Sequence, residues 1–168
     1  MRRMLVITAM LGLAMQAADV KPVESMDGPA AWTRLKTLVG EWQADSSTGK
    51  LHVSYSLIAG GATLVEQDRS EDRPEMLTAY HLDGKRLLLT HYCMAGNQPR
   101  MEARSFDSGT GEIQFRFLDA TNLTTPAAGH MRNLVLRVGN DGSLASDWQF
   151  FQDGRLKMTE TARYTRVR

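Results

Sequence analysis

The side chains best suited to chemistry in this sequence are His91 and Cys93, which stand two residues apart. A cysteine next to a histidine can form a thiolate nucleophile. In an extended strand, however, side chains two residues apart lie roughly 6–7 Å from one another, which exceeds hydrogen-bond reach. No acid is evident beside them to orient the imidazole. We therefore expect no catalytic residue and interpret Cys93 as a small buried side chain; an enzyme that uses His91 stays as an alternative.

The four histidines form no recognisable metal site, because the sequence has no His-x-His or Cys-x-x-Cys spacing. We expect neither a metal nor a cofactor. Haem bound through His91 is a weaker alternative. A late-strand histidine holds haem in the nitrobindin branch of ten-stranded barrels, but no histidine follows His130 in this chain.

Two turn signals allow the facing of strand residues to be predicted, and the first is Asp83-Gly84. A two-residue turn there places Tyr80 opposite Leu87 and Met76 opposite His91. Cross-strand partners share a face of the sheet. The more apolar face, which we assign to the interior, comprises Met76, Thr78, Tyr80, Leu87, Leu89, His91 and Cys93.

The second turn signal, Asp153-Gly154, places Trp148 opposite Thr159 and Leu144 opposite Arg163. If Arg163 points inward, Trp148 points inward as well. Aromatic walls with a few polar groups suit a small apolar or amphipathic ligand. The predicted lining of the interior is Tyr55, Thr78, Tyr80, His91, Cys93, Trp148, Phe150 and Thr159.

The elements that must position these residues are a short helix and a long series of strands. Apolar residues at helical spacing predict a helix over residues 29–39, which Gly40 ends. Beyond it the hydrophobic period becomes two and turn signals recur at short intervals, which is typical of an up-and-down antiparallel meander. Closure into a barrel removes the two exposed sheet edges. The ten predicted strands span residues 41–44, 51–57, 62–67, 76–82, 86–94, 101–106, 112–118, 131–138, 144–151 and 156–167.

Gly40-Glu41-Trp42 follows the helix and opens the first strand. A Gly-x-Trp in this position resembles the mark of lipocalins and related calycins, which are closed antiparallel barrels. The resemblance implies that Gly40 and Trp42 seal one end of the barrel and that Arg163, near the end of the chain, packs over Trp42. A stack of Arg on Trp contributes roughly 0.5–2 kcal/mol. This role is structural, and the helix plugs the same end.

Three segments, residues 55–65, 80–93 and 95–101, resemble the DUF1579 family of exported bacterial proteins. With the Gly-x-Trp motif, the resemblance extends over most of residues 31–168. It implies a lipocalin-like barrel and brings no assigned activity.

The first residues resemble a secretory signal peptide. Arg2 and Arg3 precede an uncharged apolar run over residues 5–15, and small residues follow at 16–18. We predict a signal peptide over 1–18, a linker over 19–29 and a barrel domain over 30–168, with a periplasmic or secreted location. No stable membrane span is expected after signal removal, since the run is shorter than the roughly 20 residues of a spanning helix.

The function predicted from these observations is non-covalent binding of a small hydrophobic or amphipathic ligand inside the barrel. The formal charge of +1, with scattered basic residues, argues against a nucleic-acid partner. The first alternative is a structural or interaction protein of the cell envelope whose barrel is filled by side chains. The second is the enzyme that uses His91.

Overall fold

The computed structural model describes residues 26–70 and 73–167. The predicted signal peptide and most of the predicted linker lie outside these residues. One α-helix, α1 (Gly28–Lys36), precedes ten strands, and a 3-10 turn (Ala59–Gly61) joins the second strand to the third. The strands are β1 (Gly40–Ser46), β2 (Gly49–Ile58), β3 (Thr63–Arg69), β4 (Met76–Asp83), β5 (Arg86–Tyr92), β6 (Gln98–Asp107), β7 (Glu112–Thr121), β8 (His130–Val138), β9 (Leu144–Gln152) and β10 (Arg155–Arg166).

The ten strands form a closed antiparallel barrel in which each strand pairs with its neighbours in sequence. Pairing of β1 with β10 completes the ring, with Trp42 opposite Arg166. The predicted fold, an all-β barrel of about ten strands with a short N-terminal helix, is confirmed. No helix in the described part of the chain is long and apolar enough to cross a membrane.

Helix α1 closes one end of the barrel, which we call the helix end. The Asp27 carboxylate accepts a hydrogen bond from the Ala30 amide and caps the first turn. Ala31 and Leu35 are completely buried. The guanidinium of Arg34 donates to the backbone oxygens of Val138 and Ser108, and this ties the helix to two turns at this end.

The Gly-x-Trp motif joins the helix to β1. Gly40 has a φ of 135°, which a side chain would disfavour, and it turns the chain into the strand. Trp42 is 2% exposed and donates from Nε1 to the backbone oxygen of Leu38 at 2.8 Å. Arg166 stacks on its ring, with the guanidinium carbon 4.2 Å from the ring centroid, and donates to the oxygens of Val39 and Thr37.

The predicted partner of Trp42 was therefore wrong: Arg166 covers the ring, and Arg163 is exposed on the outside of the barrel. The reason is a bulge in β10. The turn at Asp153-Gly154 forms as predicted, with positive φ at both positions. The register then shifts by one residue between Leu156 and Met158. A one-residue shift exchanges the two faces of a strand.

The β4–β5 hairpin differs from its prediction in a way that leaves the faces unchanged. Asp83 pairs with Arg86, so the turn residues are Gly84 and Lys85, and Tyr80 lies opposite Leu89. The predicted partners were wrong by two positions. Since two residues complete one period of a strand, the assignment of the apolar face to the interior is confirmed by burial of Met76, Thr78, Tyr80, Leu87, Leu89 and His91.

Candidate functional site

A polar cluster fills the barrel at the end opposite the helix. We call this the Arg73 end; it is formed by the connections that follow β1, β3, β5, β7 and β9. The free volume inside is about 20 Å³, enough for about one water molecule. The lining consists of Leu51, Glu66, Asp68, Arg73, Met76, Thr78, His91, Met131, Ser146, Trp148, Glu160, Ala162 and Tyr164.

Arg73 is the centre of this cluster and makes two ion pairs. Its Nη2 lies 2.6 Å from Asp68 Oδ2 on β3, and its Nη1 lies 3.2 Å from Glu160 Oε2 on β10. The second oxygen of Glu160 accepts a hydrogen bond of 2.5 Å from the Thr48 hydroxyl. Burial raises the pKa of Asp68 to about 6, because the cost of removing its charge from water exceeds the attraction of Arg73.

Glu66 lies deeper in the barrel. It is 6% exposed, and its Oε2 accepts a hydrogen bond of 2.6 Å from the Tyr80 hydroxyl. Burial raises the pKa of Glu66 to about 7, although hydrogen bonds from Tyr80 and Tyr55 act in the opposite direction. This carboxyl group is therefore about half protonated at neutral pH.

His91 contributes an imidazole that is 4% exposed. Its Nδ1 lies 2.9 Å from the Thr78 hydroxyl, and its ring centroid lies 4.8 Å from that of Trp148. Burial, with a smaller contribution from the charge of Arg73, lowers the pKa of His91 to about 4, so the ring is neutral at physiological pH. Its Nε2 has no hydrogen-bond partner among the described residues.

Cys93 is partly buried just beyond the end of β5. Burial raises the pKa of its thiol, and the neutral imidazole of His91 cannot supply the positive charge that stabilises a thiolate. The geometry therefore favours a protonated thiol rather than a nucleophile.

The structure brings together some of the predicted lining residues and separates others. Thr78, His91 and Trp148 line the polar space. Tyr55 and Tyr80 are buried behind it and are linked to it through Glu66. Cys93 and Phe150 pack against the core from its margin. Thr159 is exposed on the outside, so its placement in the lining was wrong, for the same bulge in β10 that turns Arg163 outward. That any of these residues binds a ligand stays a prediction.

Sequence reasoning missed the four charged residues of the site: Glu66, Asp68, Arg73 and Glu160. The available signal for Glu66 was its spacing of two residues from Leu64 on β3, which places both side chains on one face; Leu64 is fully buried. The connection between β3 and β4 is too long to transfer the register of one strand to the other. Arg73 and Glu160 lie 87 residues apart in sequence, and no local pattern relates them.

The outer surface also carries a concavity, of about 560 Å³, over β1, β2 and β10. Asp45 and Lys50 form an ion pair there, but their side chains are more than four-fifths exposed. Exposed pairs of this kind contribute little and are weakly oriented. The buried cluster at the Arg73 end is the better candidate for a site.

Within residues 26–70 and 73–167, no group of three or more His, Cys, Asp or Glu side chains is arranged to hold a metal ion.

The fold has a relative among solved structures. The crystal structure of Rv2717c from M. tuberculosis matches this chain with a TM-score of 0.54 and 18% sequence identity, over 82% of this chain and 98% of Rv2717c. At this identity the similarity shows the barrel fold alone. No protein-family model and no curated protein matches the sequence.

Proposed function

We propose that the protein binds a small molecule non-covalently at the Arg73 end of the barrel. The observation that supports this most directly is the polar lining of a space enclosed by strands, in which His91 Nε2 and Asp68 Oδ1 lack hydrogen-bond partners among the described residues. Buried polar atoms are almost always satisfied, so unsatisfied atoms that converge on one space favour a site for a ligand.

The chemistry of this space changes the expected ligand. The sequence predicted a hydrophobic or amphipathic molecule, but about 20 Å³ of free volume holds no such molecule unless a side chain moves. The lining carries three carboxyl groups, an imidazole and several hydroxyls beside the aromatic face of Trp148. A small polar molecule with a short apolar part fits this lining best.

Trp148 provides the test. Trp32 and Trp42 belong to the helix end, so only one of the three tryptophans reports on the Arg73 end. We would titrate the protein with short-chain alcohols, amides and amines and record tryptophan fluorescence. A saturable change that disappears in Trp148→Phe and persists in Trp32→Phe supports the proposal. The absence of a saturable change for every probe, with only the bare protein mass in native mass spectrometry, would contradict it.

A second candidate function is supported by the same small volume. An interaction or structural protein of the cell envelope needs no cavity, and a barrel filled by side chains fits that role. Its distinguishing result is fluorescence from Trp148 that responds to none of the probes, together with co-purification of a stoichiometric protein partner from envelope extracts.

We also propose export to the periplasm or beyond, supported by the basic start and apolar run over residues 2–15. Mass spectrometry of the protein recovered from the periplasm of a Gram-negative host should give a chain that begins near residue 19. Replacement of Leu11 and Leu13 by Arg should leave the chain uncleaved in the cytoplasm, and a cleaved variant would contradict the proposal.

We also propose that this chain is related to the DUF1579 family. Its supporting segments are residues 55–65 in the β2–β3 hairpin, 80–93 in the β4–β5 hairpin, and 95–101 in the connection from β5 to the start of β6. A crystal structure of a DUF1579 member with a different strand topology would contradict it.

A further inference from the structure

Acidic groups outnumber basic groups at the Arg73 end. Among the described residues that line the space, Glu66, Asp68 and Glu160 carry carboxyl groups, and Arg73 carries the one guanidinium. The ion pairs are well shielded, since the side chains of Arg73 and Asp68 are about 15% exposed and that of Glu160 is 5% exposed. A shielded space with this balance of charge attracts cations and repels anions.

The two unsatisfied atoms of the space are a carboxylate oxygen and a ring nitrogen of His91. Asp68 uses Oδ2 for Arg73, and its Oδ1 has no partner among the described residues. His91 Nδ1 is next to the Thr78 hydroxyl, and in the tautomer that donates to this hydroxyl the Nε2 atom carries a lone pair. The low pKa of His91 keeps one ring nitrogen unprotonated at neutral pH, and this nitrogen is Nε2 when Nδ1 donates to Thr78. Asp68 Oδ1 therefore calls for an N–H or O–H donor, and so does His91 Nε2 in this tautomer.

The acceptors lie on strands of the barrel, whereas the cation between them comes from a connection. Asp68 lies on β3, Glu160 lies on β10 and His91 lies on β5, so each is held by strands on both sides. Arg73 comes from the connection between β3 and β4, so withdrawal of its guanidinium would break no strand pairing. Once it leaves, Asp68 and Glu160 are buried charges without a partner, which is costly unless another cation replaces it.

We propose that the ligand is a small organic cation with a guanidinium or amidinium group, which takes the place of the Arg73 guanidinium between Asp68 and Glu160. Further N–H groups of the ligand donate hydrogen bonds to His91 Nε2 and Asp68 Oδ1. This inference rests on the proposed function and names its ligand class. Arg73 then acts as a built-in competitor that occupies the site when the ligand is absent.

A planar, forked donor suits this site better than a compact ammonium group. The two carboxylates of the Arg73 pairs belong to different strands, and Arg73 reaches them through two separate nitrogens. Guanidinium and amidinium groups present several N–H donors in one plane, whereas an ammonium group is a point charge with a strong hydration shell. The ring of Trp148 provides an apolar surface for a short attached chain.

The experiment replaces Arg73 and supplies its head group from solution. We would measure the melting temperature of Arg73→Ala with increasing methylguanidinium, and with N-methylurea as a neutral molecule of the same shape. Arg104→Ala is the matched control, because Arg104 is an exposed arginine that pairs with Glu102 on the outside of the barrel. Arg73→Met, which retains an apolar stem, is the second variant in case Arg73→Ala does not fold.

Methylguanidinium should raise the melting temperature of Arg73→Ala saturably, by about 4 °C at ten times its Kd. N-methylurea should raise it by less than about a quarter of this, and Arg104→Ala, which retains the Arg73 competitor, should show only the smaller rise expected of the wild type. Fluorescence of Trp148 should show that methylguanidinium binds Arg73→Ala about tenfold or more tightly than the wild type, because the competitor is gone.

An equal response to N-methylurea would overturn the inference and leave the proposed small-molecule site intact. An equal response of Arg104→Ala, or no response of either Arg73 variant, would overturn it as well. Failure of the proposed function has a separate signature, which is a wild-type Trp148 fluorescence that no probe changes.

Discussion

The two ends of the barrel are closed by opposite kinds of interaction. At the helix end, Leu35 and Trp42 are buried among apolar side chains. The cation that covers Trp42, Arg166, lies over the outer face of the ring and remains exposed. At the Arg73 end, the group that fills the barrel is itself a cation, enclosed between Asp68 and Glu160.

This difference distinguishes an end that stabilises the fold from an end that we propose binds a ligand. Apolar burial stabilises a fold at any pH. A buried ion pair gives back in attraction about what it costs in desolvation, and apolar residues of the same size often serve stability better. Apolar packing is sufficient to close the helix end. The Arg73 end retains buried charges that closure of a barrel does not require. The comparison predicts that mutations at the two ends change the free energy of unfolding by different amounts and with a different dependence on pH.

Trp42→Ala should have the largest effect. Loss of this buried indole, its hydrogen bond to Leu38 and the stack with Arg166 should lower the free energy of unfolding by about 3–5 kcal/mol. The loss should be the same at pH 5.5 and pH 8, as measured by urea unfolding. Val39→Ala, an exposed side chain at the same end, is the control and should change stability little. A loss that depends strongly on pH would break the comparison.

Arg73→Ala should lower the free energy of unfolding by about 3 kcal/mol at pH 8, because Asp68 and Glu160 remain buried without their cation. At pH 5 the loss should be smaller. The pKa of Asp68 is raised to about 6 even with Arg73 present, so this carboxyl group takes up a proton readily in the variant. Urea unfolding at both pH values tests this, and equal losses would show that Arg73 acts through packing alone.

Glu66→Gln should increase the stability of the protein at high pH, whereas substitution of a buried polar residue usually lowers stability. In the folded protein the pKa of Glu66 is raised from 4.5 to about 7, so the folded state binds its proton more tightly than the unfolded state. The stability contributed by Glu66 is thus complete below about pH 4.5 and is lost as the pH rises through 7. Glutamine imitates the protonated form and still accepts from Tyr80. The variant should exceed the wild type by about 1 kcal/mol at pH 5 and by about 3 kcal/mol at pH 8.

Glu102→Gln is the control for Glu66→Gln, because the pKa of Glu102 is shifted in the opposite direction. Hydrogen bonding to Arg86 lowers the pKa of Glu102, so this carboxylate stabilises the fold at neutral pH and the variant should gain nothing at pH 8. His91 titrates in the wild type and in both variants. The charge of Asp68 contributes to the raised pKa of Glu66, so the difference for Glu66→Gln includes the repulsion between these two carboxyl groups. A Glu66→Gln variant that is less stable than the wild type at pH 8 would show that the carboxylate is favourable in the folded state.

Arg166→Ala should have the smallest effect, a loss of about 1 kcal/mol from the stack on Trp42 and the hydrogen bonds to Val39 and Thr37. Arg163→Ala, three residues earlier on the outer face, should change the free energy of unfolding by less than about 0.5 kcal/mol. Thermal unfolding of the pair sharpens the assignment of Arg166 as the residue that covers Trp42. A larger loss for Arg163→Ala would contradict it.

The sequence was sufficient for the barrel because its signals are local. Alternation of apolar and polar residues, together with the turn signals between segments, marked the ten strands. The turn residues Gly84, Asp153 and Gly154 adopt the positive φ that their types favour. The inward face of β4 and β5 also followed from the sequence, since an error of two residues in pairing does not change the face.

Glu160 and Arg73 could not be placed in the candidate site from the sequence, for two physical reasons. A bulge near Lys157 carries no mark in the alternation, yet it turns Glu160 inward and Thr159 outward. Arg73 comes from a connection rather than a strand, so periodicity assigns it no face. Its pairing with Glu160 depends on the closure of the whole barrel, which no local pattern records.

The contact of Arg166 with the Val39 oxygen spans 127 residues of sequence. Bringing such distant segments together carries a large loop-closure entropy and slows folding. We expect β1 and β10 to join late, after the hairpins between them have formed. Substitutions in this seam should then accelerate unfolding and leave the folding rate nearly unchanged, so the seam sets how long the barrel stays shut.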